Sequence, residues 1–94
     1  MIFINNSINK NLLIAIAITE SRLNQQAINY NKNSKKNLYS IDYGLMQINS
    51  WWFDFFKKRG IASKTIKDDP CVNIFVGAYI LNHNFNLRVC PNMI

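Results

Sequence analysis

Residues 11–23 are NLLIAIAITESRL, and this stretch decides which kind of fold the chain can adopt. Its apolar part is compatible with either a buried helix or a buried strand, because hydrophobic periodicity does not distinguish the two. The total length favours a helix, and the asparagines and serine at 5–7 can cap its start. Apolar residues lie all around this helix, so we expect it to be buried on most of its faces.

Glu20 is the single glutamate of the chain, and it follows this apolar run near the end of the predicted helix. Apolar surroundings and the negative end of a helix both disfavour a charged carboxylate. A Glu20 that is held there as a neutral acid can donate a proton to a leaving group. Cleavage of a glycosidic bond requires such a donor. The alternative, which the position alone favours, is a glutamate that emerges into solvent where its helix ends.

The middle of the chain predicts mostly polar, irregular structure. Residues 24–40 are rich in asparagine, which predicts a loop or an irregular lobe. Residues 41–49 predict a short extended segment. Residues 50–59 predict a short helix with Ser50 at its cap and Gly60 at its end.

The last predicted helix has the clearest start, with Asp69 at the cap and Pro70 at the first helical position. Gly77 lies within this helix and lowers its stability by about 1 kcal/mol relative to alanine. A glycine is tolerated there where another backbone passes close to the helix, and we expect such a contact. An apolar stripe follows helical spacing along it and consists of Cys71, Ile74, Phe75, Ala78, Leu81 and Phe85.

The chain has 94 residues and a net charge of +6, which predicts a single domain over 1–94 and an anionic partner. Its basic residues fall in small groups instead of one long run. The charge is therefore also explained by a solvated basic face, and we expect no nucleic-acid partner. An anionic cell wall fits the same charge.

Several functional classes are excluded by composition. His83 is the single histidine, and the chain has neither zinc-ligand spacing nor a glycine-rich phosphate loop, so we expect no metal and no cofactor. Cys71 and Cys90 lie too far apart along a continuous helix to bond, which predicts free thiols unless the tail folds back. We expect neither a signal peptide nor a membrane span.

Three segments in this order resemble the soluble lytic transglycosylase family: AIAITESRLNQQAIN at 15–29, DYGLMQINSWW at 42–52 and DPCVNIFVGAYIL at 69–81. The likeness extends over 11–82 and is greatest to the small members that serve secretion systems and pili. It implies a mainly α, lysozyme-like fold with a saccharide-binding cleft. It also implies cleavage of the β-1,4 bond between N-acetylmuramic acid and N-acetylglucosamine in peptidoglycan, which leaves 1,6-anhydromuramoyl ends.

The resemblance carries over residue by residue. Glu20 is implied to be the single catalytic acid and base, and no metal is required. Ser21 is implied to position the sugar, and Tyr79 to face Glu20 from the last helix. Residues implied to bind the substrate are Ser21, Gly44, Leu45, Met46, Gln47, Asn49 and Tyr79, with Ile48 beside them in the cleft. Asp42 is the other carboxylate to consider, and we interpret it as structural.

The resemblance also implies a monomer in the periplasm or cell envelope whose partners are glycan strands and secretion-apparatus proteins. In the family an initial helix precedes the one with the Glu-Ser pair, whereas this chain opens almost directly on it. We therefore expect an N-terminally truncated fold that leaves part of the apolar helix exposed. Three alternatives stay open: a hydrolytic lysozyme, a non-catalytic peptidoglycan-binding or assembly factor, and an inactive truncated copy.

Overall fold

The computed structural model describes residues 10–82 of the chain. Most of the regular structure in this range is helical, which confirms the mainly α class. The elements are α1 (Lys10–Ser21), β1 (Ile28–Lys32), β2 (Leu38–Tyr43), β3 (Ile48–Asn49), a 3₁₀ turn (Ser50–Trp52), α2 (Phe53–Lys57), α3 (Ser63–Asp68) and α4 (Pro70–Asn82). Among the helices of this range, none combines the length and the apolar character that crossing a membrane requires.

The three strands form one antiparallel sheet in the order β1-β2-β3. The loop predicted over 24–40 is therefore wrong where β1 and the start of β2 lie. Polar side chains join these strands: Nδ2 of Asn31 and Nδ2 of Asn49 each donate to Ser40 and to Asp42. Because these strands bury few apolar side chains, their sequence lacks the alternation by which a strand is usually predicted.

α1 confirms the predicted helix but ends at Ser21, since Arg22 and Leu23 both have positive φ. The helix is much less buried than expected. Its buried residues are Ala17 and Ser21, whereas Ile14 and Ile18 are 48% and 49% exposed. Burial on most faces is therefore a wrong prediction, while the expected exposure of part of the helix is observed. The described residues cover α1 on one side.

α4 passes through the centre of the core. Its predicted start is confirmed, because Oδ1 of Asp69 accepts hydrogen bonds from the first free N–H groups of the helix. Ile66 of α3 and Phe56 of α2 are fully buried against it. α3 was not predicted, since Ile66 is the one residue it buries. The side chains that α4 buries are Val72, Asn73, Phe75, Val76 and Ala78.

The helix predicted over 50–59 is divided into the 3₁₀ turn and α2. Asn49 caps the turn, because its Oδ1 accepts from the backbone N–H two residues later at 3.0 Å. The prediction of Ser50 as the cap is wrong, since its hydroxyl instead accepts from the N–H of Ile41 in β2. Gly60 has a φ of +87° and follows the helix as expected.

Cys71 is disulfide-bonded in the structure, so the expectation of a free thiol is wrong for this residue. The expectations for His83, Phe85 and Cys90 concern residues outside the described range.

Candidate active site

A pocket of about 240 Å³ opens between α1, the segment 46–49 and α4. Helical spacing determines which side chains reach it. Ile16 and Glu20 lie four positions apart on α1, and three residues of α4 follow the i, i+3, i+4 pattern. The lining residues are Ile16, Glu20, Met46, Gln47, Ile48, Asn49, Trp52, Gly77, Ile80 and Leu81.

Glu20 is the single ionisable side chain among the described residues that line this pocket. It lies in the last turn of α1 and is exposed to solvent. Of the two possibilities for Glu20, the solvent-exposed one is observed, because α1 is covered on one side. Most of the remaining pocket wall is apolar. A carboxyl group beside an apolar pocket can transfer a proton to a ligand that lies in the pocket.

The 44–47 loop, GLMQ, forms the wall between β2 and β3. It turns tightly, with a φ of +80° at Gly44 and +52° at Gln47. Each backbone N–H group of this loop donates a hydrogen bond within the protein. In order along the loop, the acceptors are the carbonyl of Ala27, Oε1 of Gln25, Oδ1 of Asn73 and the carbonyl of Gly44.

Asn73 joins the 44–47 loop to the core, and it was missed by sequence reasoning. Its side chain is 0% exposed. Oδ1 accepts from the N–H of Met46 at 2.8 Å, and Nδ2 donates to the carbonyls of Tyr43 at 2.9 Å and Ile66 at 3.0 Å. The available signal was an asparagine in the middle of an apolar helix, since a buried amide requires partners.

Ser21 joins α1 to the same loop. Its buried hydroxyl lies 2.8 Å from the carbonyl oxygen of Leu45 and 2.9 Å from that of Ala17, so its one proton is shared between them. The contact fixes the residue next to Glu20 against the loop that forms another wall of the pocket. Ser21 itself does not line the pocket.

The two side-chain amides that line the pocket are engaged within the protein. Nε2 of Gln47 donates to two backbone carbonyls, and its Oε1 accepts from Asn29 at 2.6 Å. Nδ2 of Asn49 donates to Ser40 and Asp42, and its Oδ1 accepts from the 3₁₀ turn. Both donors of each amide are used, which leaves one lone pair on each amide oxygen for a ligand. Because Asp42 accepts hydrogen bonds from both Asn31 and Asn49, it has a structural role within the sheet.

Three further predicted substrate-binding residues lie away from the pocket lining. Gly44 is buried, and Leu45 packs against the core. Tyr79 follows Gly77 by two positions, about 200° around the helix, which directs it to the opposite side of α4. Its ring contacts the rings of Phe55, Phe56 and Phe75.

Four of the eight predicted site residues therefore meet at the pocket: Glu20, Met46, Gln47 and Asn49. Their roles toward a ligand stay predictions. Sequence reasoning did not assign Ile16, Gly77, Ile80 and Leu81 to the site. Helical spacing from Glu20 was the signal that could have found Ile16.

Gly77 allows α4 to approach Met46, whose side chain takes the place of the backbone expected there. A Cβ atom at Gly77 would lie 2.7 Å from the Cβ of Met46. We expect Gly77→Ala to displace Met46 and to lower the free energy of unfolding by about 1–3 kcal/mol. Urea denaturation followed by circular dichroism measures this change. Helix propensity alone predicts the opposite sign, about 1 kcal/mol of stabilisation, so a more stable variant would contradict the packing argument.

The family model described as "Transglycosylase SLT domain" matches residues 4–88. Among curated proteins, the chain is 44% identical over 81 residues to "Peptidoglycan-binding-like protein" of Escherichia coli O157:H7, which covers 84% of this chain and 48% of that protein. It is 43% identical over 76 residues to "Invasion protein IagB" of Salmonella typhimurium strain SL1344, covering 81% and 44%.

It is also 36% identical over 76 residues to "Protein IpgF" of Shigella flexneri, covering 81% of this chain and 47% of that protein. The chain thus spans about half the length of the curated relatives it matches.

Proposed function

This chain belongs to the family of the transglycosylase SLT domain, and on that basis we propose that it is a lytic transglycosylase of peptidoglycan. The bond cleaved is the β-1,4 linkage between N-acetylmuramic acid and N-acetylglucosamine. The observation that carries this proposal is the position of Glu20. It is the single ionisable group among the described residues lining an otherwise largely apolar pocket.

One carboxyl group is sufficient for this reaction. Glu20 protonates the glycosidic oxygen as the bond from that oxygen to C1 of the muramic acid breaks. The N-acetyl group of the same sugar stabilises the positive charge that develops at C1. The Glu20 carboxylate then removes the proton of the C6 hydroxyl as O6 bonds to C1. The 1,6-anhydro ring closes, the acid is regenerated and no water is consumed.

Because Glu20 is exposed in the free protein, water is excluded from it only when the substrate binds. A glycan strand that lies over the pocket covers Glu20 and displaces solvent from the apolar wall. Electrostatic interactions in the pocket become stronger when water is excluded. Binding of the strand thus creates dry surroundings for Glu20.

The other site residues then act mainly through position. Ser21, Gly44 and Leu45 hold the pocket wall in place, and Met46 supplies an apolar contact. Gln47 and Asn49 each have one amide lone pair left to accept a sugar hydroxyl. Tyr79 stabilises α4 through its aromatic contacts on the side opposite the pocket.

Mass spectrometry of the products tests the proposal directly. Purified peptidoglycan sacculi are incubated with the 94-residue chain, and the released muropeptides are analysed without chemical reduction. We expect 1,6-anhydromuramoyl ends, which lie 18 Da below the hydrolysed ends because one water is not added. Reducing ends would assign the chain to hydrolytic lysozymes, and an absence of released muropeptides would contradict both enzymatic functions.

A non-catalytic peptidoglycan-binding function is the second candidate. It is favoured by the solvent exposure of Glu20 and by the printed name of the Escherichia coli relative, a peptidoglycan-binding-like protein. Co-sedimentation with sacculi, without release of muropeptides, is the result expected from this function. An inactive truncated copy of a longer enzyme gives the same result.

The name of one relative supports a proposal for the cellular role: "Invasion protein IagB" is 43% identical to this chain. We propose that this chain acts as one domain and a monomer in the cell envelope, where it opens the wall locally for a secretion or pilus apparatus.

A further inference from the structure

Two aromatic side chains on the surface form a pair that the pocket does not include. Trp51 is 64% exposed and Tyr39 is 56% exposed. Their ring centroids lie 4.7 Å apart, and the ring planes meet at 56°. We call this pair the aromatic corner. It presents two apolar ring surfaces to solvent in a tilted arrangement.

The aromatic corner is held in place although it is exposed. Nε1–H of Trp51 donates to the carbonyl of Tyr39 at 3.3 Å, and the backbone N–H of Trp51 donates to Oδ1 of Asn49 at 3.0 Å. Tyr39 lies at a bulge, because the pairing passes from Asn31–Ser40 to Lys32–Leu38 and leaves Tyr39 without a partner on β1. A bulge can redirect a side chain in this way.

The aromatic corner adjoins the pocket. Asn49, which caps the turn carrying Trp51, lines the pocket, and so does Trp52, the next residue in the chain. The pocket of about 240 Å³ can hold only a small part of a polysaccharide strand. A strand with one sugar beside Glu20 therefore continues over the protein surface. Because Asn49 and Trp52 at the two ends of the 3₁₀ turn both line the pocket, one path for the strand crosses this turn.

We propose that the aromatic corner is a stacking subsite for a pyranose ring of the glycan strand that occupies the pocket. This inference rests on the proposed action on peptidoglycan. A pyranose ring has an apolar C–H face and a polar hydroxyl rim, and an exposed indole with a tyrosine beside it offers a matching surface. Aromatic rings that are already fixed lose little freedom when they bind, which favours them as anchors.

Binding measurements with an inactive background test the inference. The 94-residue chain carrying Glu20→Gln is titrated with purified sacculi by co-sedimentation and with β-1,4-linked N-acetylglucosamine tetramers by calorimetry. Adding Trp51→Ala, or separately Tyr39→Ala, is expected to weaken binding of both ligands by about tenfold. Trp51→Phe, which keeps a ring but loses the indole N–H, is expected to weaken it by less than about threefold.

Tyr30→Ala is the matched control. Tyr30 is 61% exposed on β1, across β2 from the strand that leads into Trp51, so its removal is expected to leave binding unchanged. Circular dichroism verifies that each variant is folded.

Each outcome separates this inference from the proposed function. Binding by Trp51→Ala and Tyr39→Ala within twofold of the background would overturn the aromatic corner as a subsite, even if the unmodified chain cleaves sacculi. Weaker binding by both, in a chain that releases no muropeptides, would support the subsite and overturn the catalytic proposal. Loss of sacculus binding with unchanged tetramer binding would indicate a protein or peptide partner instead and would also overturn the subsite.

Discussion

Replacement of Glu20 by glutamine is expected to abolish the release of anhydro-muropeptides. The substitution keeps the size of the side chain and removes its exchangeable acidic proton. In the proposed mechanism one carboxyl group serves both proton transfers, so we expect the rate to fall by at least about 10³-fold. The measurement is the initial rate of muropeptide release from sacculi, quantified by chromatography and mass spectrometry. Because Glu20 is exposed, the free energy of unfolding is expected to change by less than about 0.5 kcal/mol.

Asp54→Asn is the matched control for Glu20→Gln. Asp54 of α2 pairs with Lys58, the residue that follows this helix, at 3.2 Å, and both side chains are exposed. Asp54 does not line the pocket. The same loss of one carboxylate there is expected to leave the rate unchanged. A Glu20→Gln variant that keeps more than a tenth of the rate would show that Glu20 is not the catalytic acid and base.

The largest effect on stability is expected from Asn73→Ala. The substitution removes the partner of three backbone groups: the buried N–H of Met46, the buried carbonyl of Ile66 and the part-buried carbonyl of Tyr43. An unsatisfied buried group costs about 1–3 kcal/mol, so we expect a total loss of about 3–5 kcal/mol. The whole stability of a small domain is about 5–15 kcal/mol, so this loss is a large share of it. Urea denaturation at 10 °C measures the change.

Two comparisons isolate the cause of that loss. Asn37→Ala removes an exposed asparagine between β1 and β2 and is expected to cost less than about 0.5 kcal/mol. Asn73→Asp keeps the acceptor for Met46 but loses both donors, so it is expected to be destabilised as well. A loss below about 1 kcal/mol for Asn73→Ala would show that water replaces the amide and that Asn73 does not hold the loop.

The sequence predicts those parts of the fold that depend on neighbours along the chain. The start of α4 is one example, because Asp69 and Pro70 act on N–H groups within the next three residues. The helical character of α1 is another. The resemblance to soluble lytic transglycosylases brings Glu20 together with the 44–47 loop, and the pocket is lined by Glu20 and by Met46 and Gln47 of that loop.

The parts that could not be predicted depend on contacts between distant segments. The predicted burial of α1 on most faces was wrong because composition indicates how apolar a helix is but not how many of its faces are covered. β1 and the start of β2 were missed because amide and carboxylate contacts, such as that between Asn31 and Asp42, join these strands. The position of Tyr79 depends on the rotation of α4, which buried residues such as Asn73 fix.

The fully hydrogen-bonded 44–47 loop has a consequence for how a ligand binds. Loops usually lose conformational entropy when a ligand orders them, and that loss reduces affinity. Here each N–H group of the loop is already bonded to a partner outside or within it. The pocket wall is therefore preorganised, and the free energy gained from contacts with the sugar is retained as affinity instead of being spent on ordering the protein.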